Sequence, residues 1–221
     1  MENKLLVSAS SNPPKSVELL QEYVKKLVDV DVDMLHYDVM DGLFVKTYTY
    51  DYHLLNDINN KYTLPLDVHL MTFDPTRKLK NYIDAGATII TVHYEAYADN
   101  ESIIKDMKYI KSFGRLAGLS ICPKTKVEEI KDLLKYVDLV LIMSVVPGKS
   151  GQEFLQNTFE KLDKLNDYLK QIKNKVIIEV DGGINNIIAK QLKNYNVDIV
   201  VSGNYLYQSD NLLEAINSLR V

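Results

Sequence analysis

Two short segments carry the side chains that could do chemistry. Residues 34–42 read Met-Leu-His-Tyr-Asp-Val-Met-Asp-Gly, and residues 65–71 read Pro-Leu-Asp-Val-His-Leu-Met. Alternate side chains of an extended strand share a face. His36, Asp38 and Met40 therefore point one way, as do His69 and Met71 on the second segment. A third segment, Glu-Val-Asp-Gly-Gly at 179–183, supplies a further carboxylate, Asp181. Taken alone, His36 and Asp38 could be a buried pair that satisfies itself. Buried charges need a partner or a metal, and with His69 and Asp181 added the set reads as a divalent-metal site. Mixed imidazole and carboxylate donors suit zinc, iron, cobalt or manganese without choosing among them. Two carboxylates beside such a centre are suited to moving a proton next to a carbonyl.

Glycines mark a second kind of chemistry. Pro147-Gly148-Lys149-Ser150-Gly151-Gln152, Gly182-Gly183 and Gly203-Asn204 fall in three late loops. Backbone amides of such loops cradle phosphate, although tight turns also use glycine for ordinary reasons. Gly148-Lys149-Ser150 is not a P-loop, because the glycine spacing before the lysine is missing. Lys149 is either a solvated loop charge or an attraction for phosphate. Met40, Met71 and Met143 each end a short apolar run. Methionine is commonly core filler, but three at one mouth could exclude water around a flat, anionic intermediate. His93 and Glu95 share a strand face and read as bracing the site rather than ligating. His53 reads as surface, and Cys122 has no reactive signature.

The elements that must position these residues alternate along the chain. Apolar, β-branched runs occur near 4–8, 33–39, 65–71, 88–93, 115–121, 137–143, 176–181 and 197–202. Amphipathic, charged stretches lie between and after them at 16–30, 51–60, 75–85, 100–113, 126–135, 152–173, 185–194 and 210–219. Their lengths fit buried parallel strands and covering helices. The count fits a closed (β/α)8 barrel of parallel strands, an α/β TIM barrel over residues 1–221; a doubly wound sheet is the alternative. Catalytic groups of such barrels sit at the C-terminal strand ends. The polar residues named above fall at those ends, together with Ser8 on the first run. Asp74-Pro75 and Ser209-Asp210 read as helix starts.

Composition narrows the class. The 221 residues are 46% hydrophobic and 25% charged, with a formal net charge of −4, which argues against non-specific nucleic-acid binding. The one cysteine, Cys122, allows no internal disulfide, and the cytoplasm is the expected home. No apolar run is long enough to span a membrane, and Met1–Ser8 lacks the apolar core of a signal peptide.

Four ordered motifs carry a family resemblance. Leu-His-x-Asp-Val-Met-Asp-Gly-x-Phe-Val, Leu-Asp-Val-His-Leu-Met, Met-Ser-Val-x-Pro-Gly-x-x-Gly-Gln-x-Phe and Glu-Val-Asp-Gly-Gly-Ile resemble the signatures of ribulose-phosphate 3-epimerase. With Ser8 and Val201-Ser202-Gly203 the resemblance spans nearly the whole chain. It implies a (β/α) barrel that interconverts D-ribulose 5-phosphate and D-xylulose 5-phosphate in the pentose phosphate pathway. It implies metal ligation by His36, Asp38, His69 and Asp181, with Asp38 and Asp181 as the acid/base pair. It implies substrate contacts from Ser8, His69, Met40, Met71 and Met143. On the phosphate side it implies Gly148 to Gly151 (with Lys149 and Ser150), Gly182, Gly183, Gly203 and Asn204. It further implies one divalent metal without an organic cofactor, a small sugar phosphate as partner, and a homo-oligomer, dimer or hexamer.

The chain departs from the family pattern at Leu43 to Thr47, at Lys149 and Ser150, at Asn204, and at Ala9 to Pro14. None of these is a metal or acid/base position; they bear on substrate fit and loop closure. A 3-epimerase of a hexulose phosphate such as D-allulose 6-phosphate is the alternative within the same chemistry. A related barrel that cleaves or forms carbon–carbon bonds would carry Asp-x-Lys-x-x-Asp on the third strand, where this chain has Asp67-Val68-His69. A non-catalytic sugar-phosphate binder would have no need for two opposed carboxylates.

Overall fold

The computed structural model describes residues 4–172 and 175–221. Its eight parallel strands close into a barrel in sequence order. They are β1 (Leu6–Ser10), β2 (Met34–Met40), β3 (Leu66–Met71), β4 (Ile89–His93), β5 (Leu116–Ile121), β6 (Leu139–Met143), β7 (Ile177–Asp181) and β8 (Ile199–Ser202). Ring closure comes from β1 pairing with β8, with Ser8 opposite Val201. The expected (β/α)8 architecture is therefore the one observed.

Helices cover the outside. They are α1 (Val17–Asp29), α2 (Tyr52–Lys61), α3 (Leu79–Asp84), α4 (Asn100–Ser112), α5 (Thr158–Leu169), α6 (Asn186–Leu192), the short α7 (Asn204–Tyr207) and α8 (Leu212–Leu219). Helix α1 shows how the sequence dictates this layer. Ser16 caps it by accepting from the Leu19 amide, and Leu20, Tyr23, Val24 and Leu27 form one buried stripe at helical spacing. No helix among the described residues is long and apolar enough to cross a membrane.

Two apolar compartments result. The larger lies between the sheet and the helices and includes Leu20, Val24, Leu35, Tyr37, Leu70, Val92, Met107, Leu119 and Val200. The smaller fills the barrel lumen with Met34, Ile89, Leu139, Leu141, Met143, Val145 and Ile199. Gly118 faces the same lumen, where an added Cβ would stand 2.2 Å from Thr91 Oγ1. Inward alternation then delivers polar side chains to the upper lumen, above this plug.

Several boundaries differ from the sequence expectation. The first strand runs two residues further, because Ser10 pairs with His36 across the β1–β2 ladder. The stretch 126–135 forms two 3₁₀ turns, Val127–Glu129 and Lys131–Leu133, not an α-helix. Helix α5 begins at Thr158, leaving 152–157 to a loop; its expected end at 173 falls outside the described residues. Asp74 does not cap α3, which starts at Leu79. Helix α8 is capped by Asn211, which accepts from the Glu214 amide, rather than by Ser209 or Asp210.

Candidate active site

Strands β2, β3 and β7 bring four donor atoms together. His36 Nε2 stands 3.2 Å from His69 Nδ1. Asp38 Oδ1 lies 3.6 Å from His36 Nε2 and 3.5 Å from His69 Nδ1. Asp181 Oδ2 lies 3.9 Å and 4.0 Å from the same two nitrogens. All four atoms fall within 4.8 Å of one another. Ligands held ~2.1 Å from a tetrahedral or octahedral metal stand roughly 3.0–3.4 Å apart, so small side-chain movements would satisfy a divalent ion. The donor set fits as well: two imidazoles and two carboxylates converge, and both imidazoles are fully buried.

A second tier lies beneath. His36 Nδ1 donates to Asp67 Oδ2 at 2.5 Å, and the Ser8 hydroxyl donates to the same oxygen at 2.9 Å. Glu179 is fully buried within 4.8 Å of both His36 and Asp67. Burial and the Asp67 charge raise the proton affinity of Glu179 well above the usual carboxylate range. A neutral Glu179 can share its proton with Asp67, whose Oδ1 otherwise has no partner among the described residues. Burial disfavours the His36 imidazolium, but the charges of Asp67 and Asp38 outweigh it and raise His36 well above the usual imidazole value. Asp67 thus orients His36 with Nε2 toward the site, the arrangement that carboxylate–histidine–metal triads use.

The two carboxylates at the mouth differ. Burial alone would raise Asp38, but His36 and His69 outweigh it and hold it below the usual range. Asp181 is pushed up to about 7 by burial and by the like charges of Asp38 and Asp67. In the ring, β8 and β1 separate the strands that carry them, so the two groups reach the cavity from different sides.

Above the carboxylates is a cavity of about 350 Å³. It is lined by Ser10, Asp38, Asp181, Met40, Met71 and Met143, by Gly148 to Gly151, by Gly182 and Gly183, and by Gly203 and Asn204. Lys149 is exposed at its rim. Ser8, expected at the mouth, lies deeper in the lumen. Its buried hydroxyl is committed to Asp67, and it does not line the cavity. Because β1 runs to residue 10, the serine at the mouth is Ser10, which donates to Asp38 Oδ2 at 2.8 Å. Sequence reading also passed over Asp67 and Glu179, although each shares strand parity with a named ligand, His69 or Asp181.

The late loops are tied to the barrel. The Ser144 hydroxyl donates to the carbonyls of Asp181 and Gly182. The Gln152 side chain donates to the Val146 and Lys149 carbonyls. Thr47 Oγ1 donates to the Gly148 carbonyl at 2.7 Å, joining the loop after β2 to the loop after β6. Gly183 sits at φ +67°, and a Cβ there would meet the Phe154 amide nitrogen at 2.5 Å. Gly183→Ala is expected to cost about 2–4 kcal/mol, from left-handed strain plus overpacking against backbone. Urea unfolding would read it; a loss under about 0.5 kcal/mol would mean that the loop relaxes freely.

His93 lies beside the site rather than in it. Its Nε2 is 2.8 Å from His69 Nε2, and its Nδ1 is 3.1 Å from Glu95 Oε2. Phe44 covers the ring at 4.8 Å between centroids. Cys122 Sγ is 3.6 Å from His93 Nδ1, a proximity with no signal in the sequence. Burial and the nearby Glu95 charge push the Cys122 thiol well above its usual value, far from reactive thiolate chemistry. His53 is exposed on α2, as expected.

Comparison with known proteins agrees with this geometry. Residues 8–207 match the model of the ribulose-phosphate 3 epimerase family. The chain is 38% identical over 190 residues to a ribulose-phosphate 3-epimerase of Chlamydia pneumoniae, covering 85% of this chain and 82% of the relative. It is 37% identical over 186 residues to the Aquifex aeolicus (strain VF5) protein of the same name, covering 84% and 82%. The fold is also that of 3-keto-L-gulonate-6-phosphate decarboxylase from Vibrio cholerae, at TM-score 0.74 and 12% identity over 98% of this chain and 96% of the other. On its sequence, its barrel and these matches, the chain belongs to the ribulose-phosphate 3-epimerase family, a family of isomerases.

Proposed function

We propose that this protein epimerises carbon 3 of D-ribulose 5-phosphate to D-xylulose 5-phosphate, using Asp38 and Asp181 as the proton-transfer pair. The observation that carries the reading is the placement of these two carboxylates. They face one cavity from different sides of the ring. The hydrogen on carbon 3 is acidic because the ketone lies next to it. One aspartate removes that proton, leaving an enediolate, and the other returns a proton to the opposite face. In the reverse direction the roles exchange. Ser10 holds one oxygen of Asp38 and so fixes the direction of the other.

His36, Asp38, His69 and Asp181 would hold a divalent transition metal. When bound, such an ion supplies Lewis-acid stabilisation to the oxygens next to the reacting carbon. Met40, Met71 and Met143 present polarizable, apolar surface to the cavity and keep water from the enediolate. The glycine loops Gly148–Gly151 and Gly182–Gly183, with Gly203 and Asn204, line the part of the cavity suited to the phosphate. A coupled assay of D-ribulose 5-phosphate epimerisation tests the reading, and absence of turnover in metal-loaded protein would overturn it.

Lys149 offers a test of phosphate attraction. An exposed pair contributes up to about 1 kcal/mol. Lys149→Met is therefore expected to raise the KM several-fold, leave kcat nearly unchanged and weaken the salt dependence of KM. An unchanged KM at low salt would make Lys149 a solvated loop charge. A collapse of kcat would instead assign Lys149 to the closed form of the loop.

A further inference from the structure

We infer that Glu95 and His93 are positioning residues that set the tautomer of His69 and so keep its Nδ1 free to bind metal. The inference rests on the metal role proposed for His69. His69 and His93 meet edge to edge, since the 2.8 Å between their Nε2 atoms spans most of the 4.9 Å between ring centroids. One of these nitrogens must carry the shared proton, and the choice fixes both rings. If His69 donates, its Nδ1 has a lone pair facing Asp38, His36 and Asp181. If His93 donates, His69 carries its proton on Nδ1, and the metal position is blocked.

Glu95 decides between these states. Its Oε1 accepts from the Cys122 amide at 2.7 Å and from the Thr125 hydroxyl. The loop bearing both donors is pinned by Lys161 of α5, whose ammonium donates to the Cys122 and Thr125 carbonyls at 2.7 Å and 2.6 Å. With Oε1 so engaged, Oε2 is left to face His93 Nδ1. A carboxylate only accepts, so His93 must be protonated on Nδ1. His93 Nε2 then accepts from His69 Nε2–H. On the far side His36 Nδ1 donates to Asp67, so the His36 Nε2 lone pair faces His69 Nδ1 across the metal position. Glu95, acting through His93, thus turns the unprotonated nitrogen of His69 inward, as Asp67 does for His36.

Glu95→Gln is informative because it keeps the shape and reverses the polarity. The Gln carbonyl would take the Cys122 and Thr125 donors, and its NH₂ would face His93 Nδ1 as a donor. His93 would then carry its proton on Nε2 and drive that of His69 to Nδ1. Glu95→Ala removes the preference without reversing it. The test is long-range ¹H–¹⁵N NMR of the imidazoles in metal-free protein, with Co²⁺ and Zn²⁺ affinities from competition with a chromophoric chelator. Wild type is expected to show His93 Nδ1–H and His69 Nε2–H. Glu95→Gln is expected to bind metal at least about tenfold more weakly, within the range for such outer partners, and more weakly than Glu95→Ala. A purely structural role would order the variants the other way, because Ala removes more packing.

His93 protonated on Nε2 in wild type would overturn the inference, whether or not the variants fold. So would a Glu95→Gln affinity equal to wild type. Neither measurement uses turnover, so an inactive protein with the expected tautomers would sink the proposed reaction and leave the relay standing.

Discussion

Asp38→Asn and Asp181→Asn are each expected to lower turnover at least about a hundredfold, the low end of general acid–base contributions. The Asn amide keeps the shape of each side chain but can neither take a proton nor return one. The two variants should differ in what else they lose. Asp38 lies closer to both histidine nitrogens than Asp181 does, so Asp38→Asn should also weaken metal binding more. In deuterated water the wild-type protein should place deuterium on carbon 3 of the product. Epimerisation that left carbon 3 unlabelled, with no internal return of the original proton, would require another mechanism. Either variant retaining near wild-type turnover would remove that aspartate from the pair.

Removal of metal is expected to have a comparable effect. Dialysis against a strong chelator should abolish activity, and a divalent transition metal should restore it. Full turnover in demonstrably metal-free protein would end the Lewis-acid role. His69→Ala should lose both metal and activity yet remain folded, because the lumen beneath is filled independently by Met34, Ile89, Leu139, Leu141 and Ile199. His36→Ala should be the less stable of the two. It takes the imidazole partner from the buried Asp67 carboxylate, leaving it the Ser8 hydroxyl and the proton shared with Glu179, and breaking a buried charge pair typically costs about 3–5 kcal/mol. Circular dichroism with metal analysis separates these outcomes.

Much of this arrangement was legible because strand periodicity carries two kinds of information at once. A run such as 34–40 announces a buried strand by its apolar content, and its alternation names the residues that face inward. That logic located His36, Asp38, His69 and Asp181 and placed them at one end of a barrel. It failed where a boundary decided the answer. Ending the first run at Ser8 missed Ser10 at the mouth, since nothing local marks how far a parallel ladder extends. It also failed at 126–135, where Val127, Ile130 and Leu133 recur every third residue. That spacing belongs to the 3₁₀ turn as much as to the α-helix. The proximity of Cys122 to His93, and the Thr47–Gly148 bridge, depend on the ring bringing distant loops together. Asp67 and Glu179 were readable in principle, one alternation below the ligands, but no rule of composition says how deep in a lumen a charge is tolerated.

That depth has a consequence for how far this fold can be stabilised. Ser8, Asp67, His36 and Glu179 occupy lumen space that the adjoining tier fills with aliphatic side chains. Well-packed apolar replacements of buried ionic clusters are often neutral or stabilising by about 1–4 kcal/mol. A selection for thermal endurance alone would accordingly convert this tier to leucine and isoleucine and erase the support of His36 in the process. The barrel's thermal ceiling and its chemistry draw on the same few side chains, so gains in endurance that preserve activity belong in the outer helices and their caps.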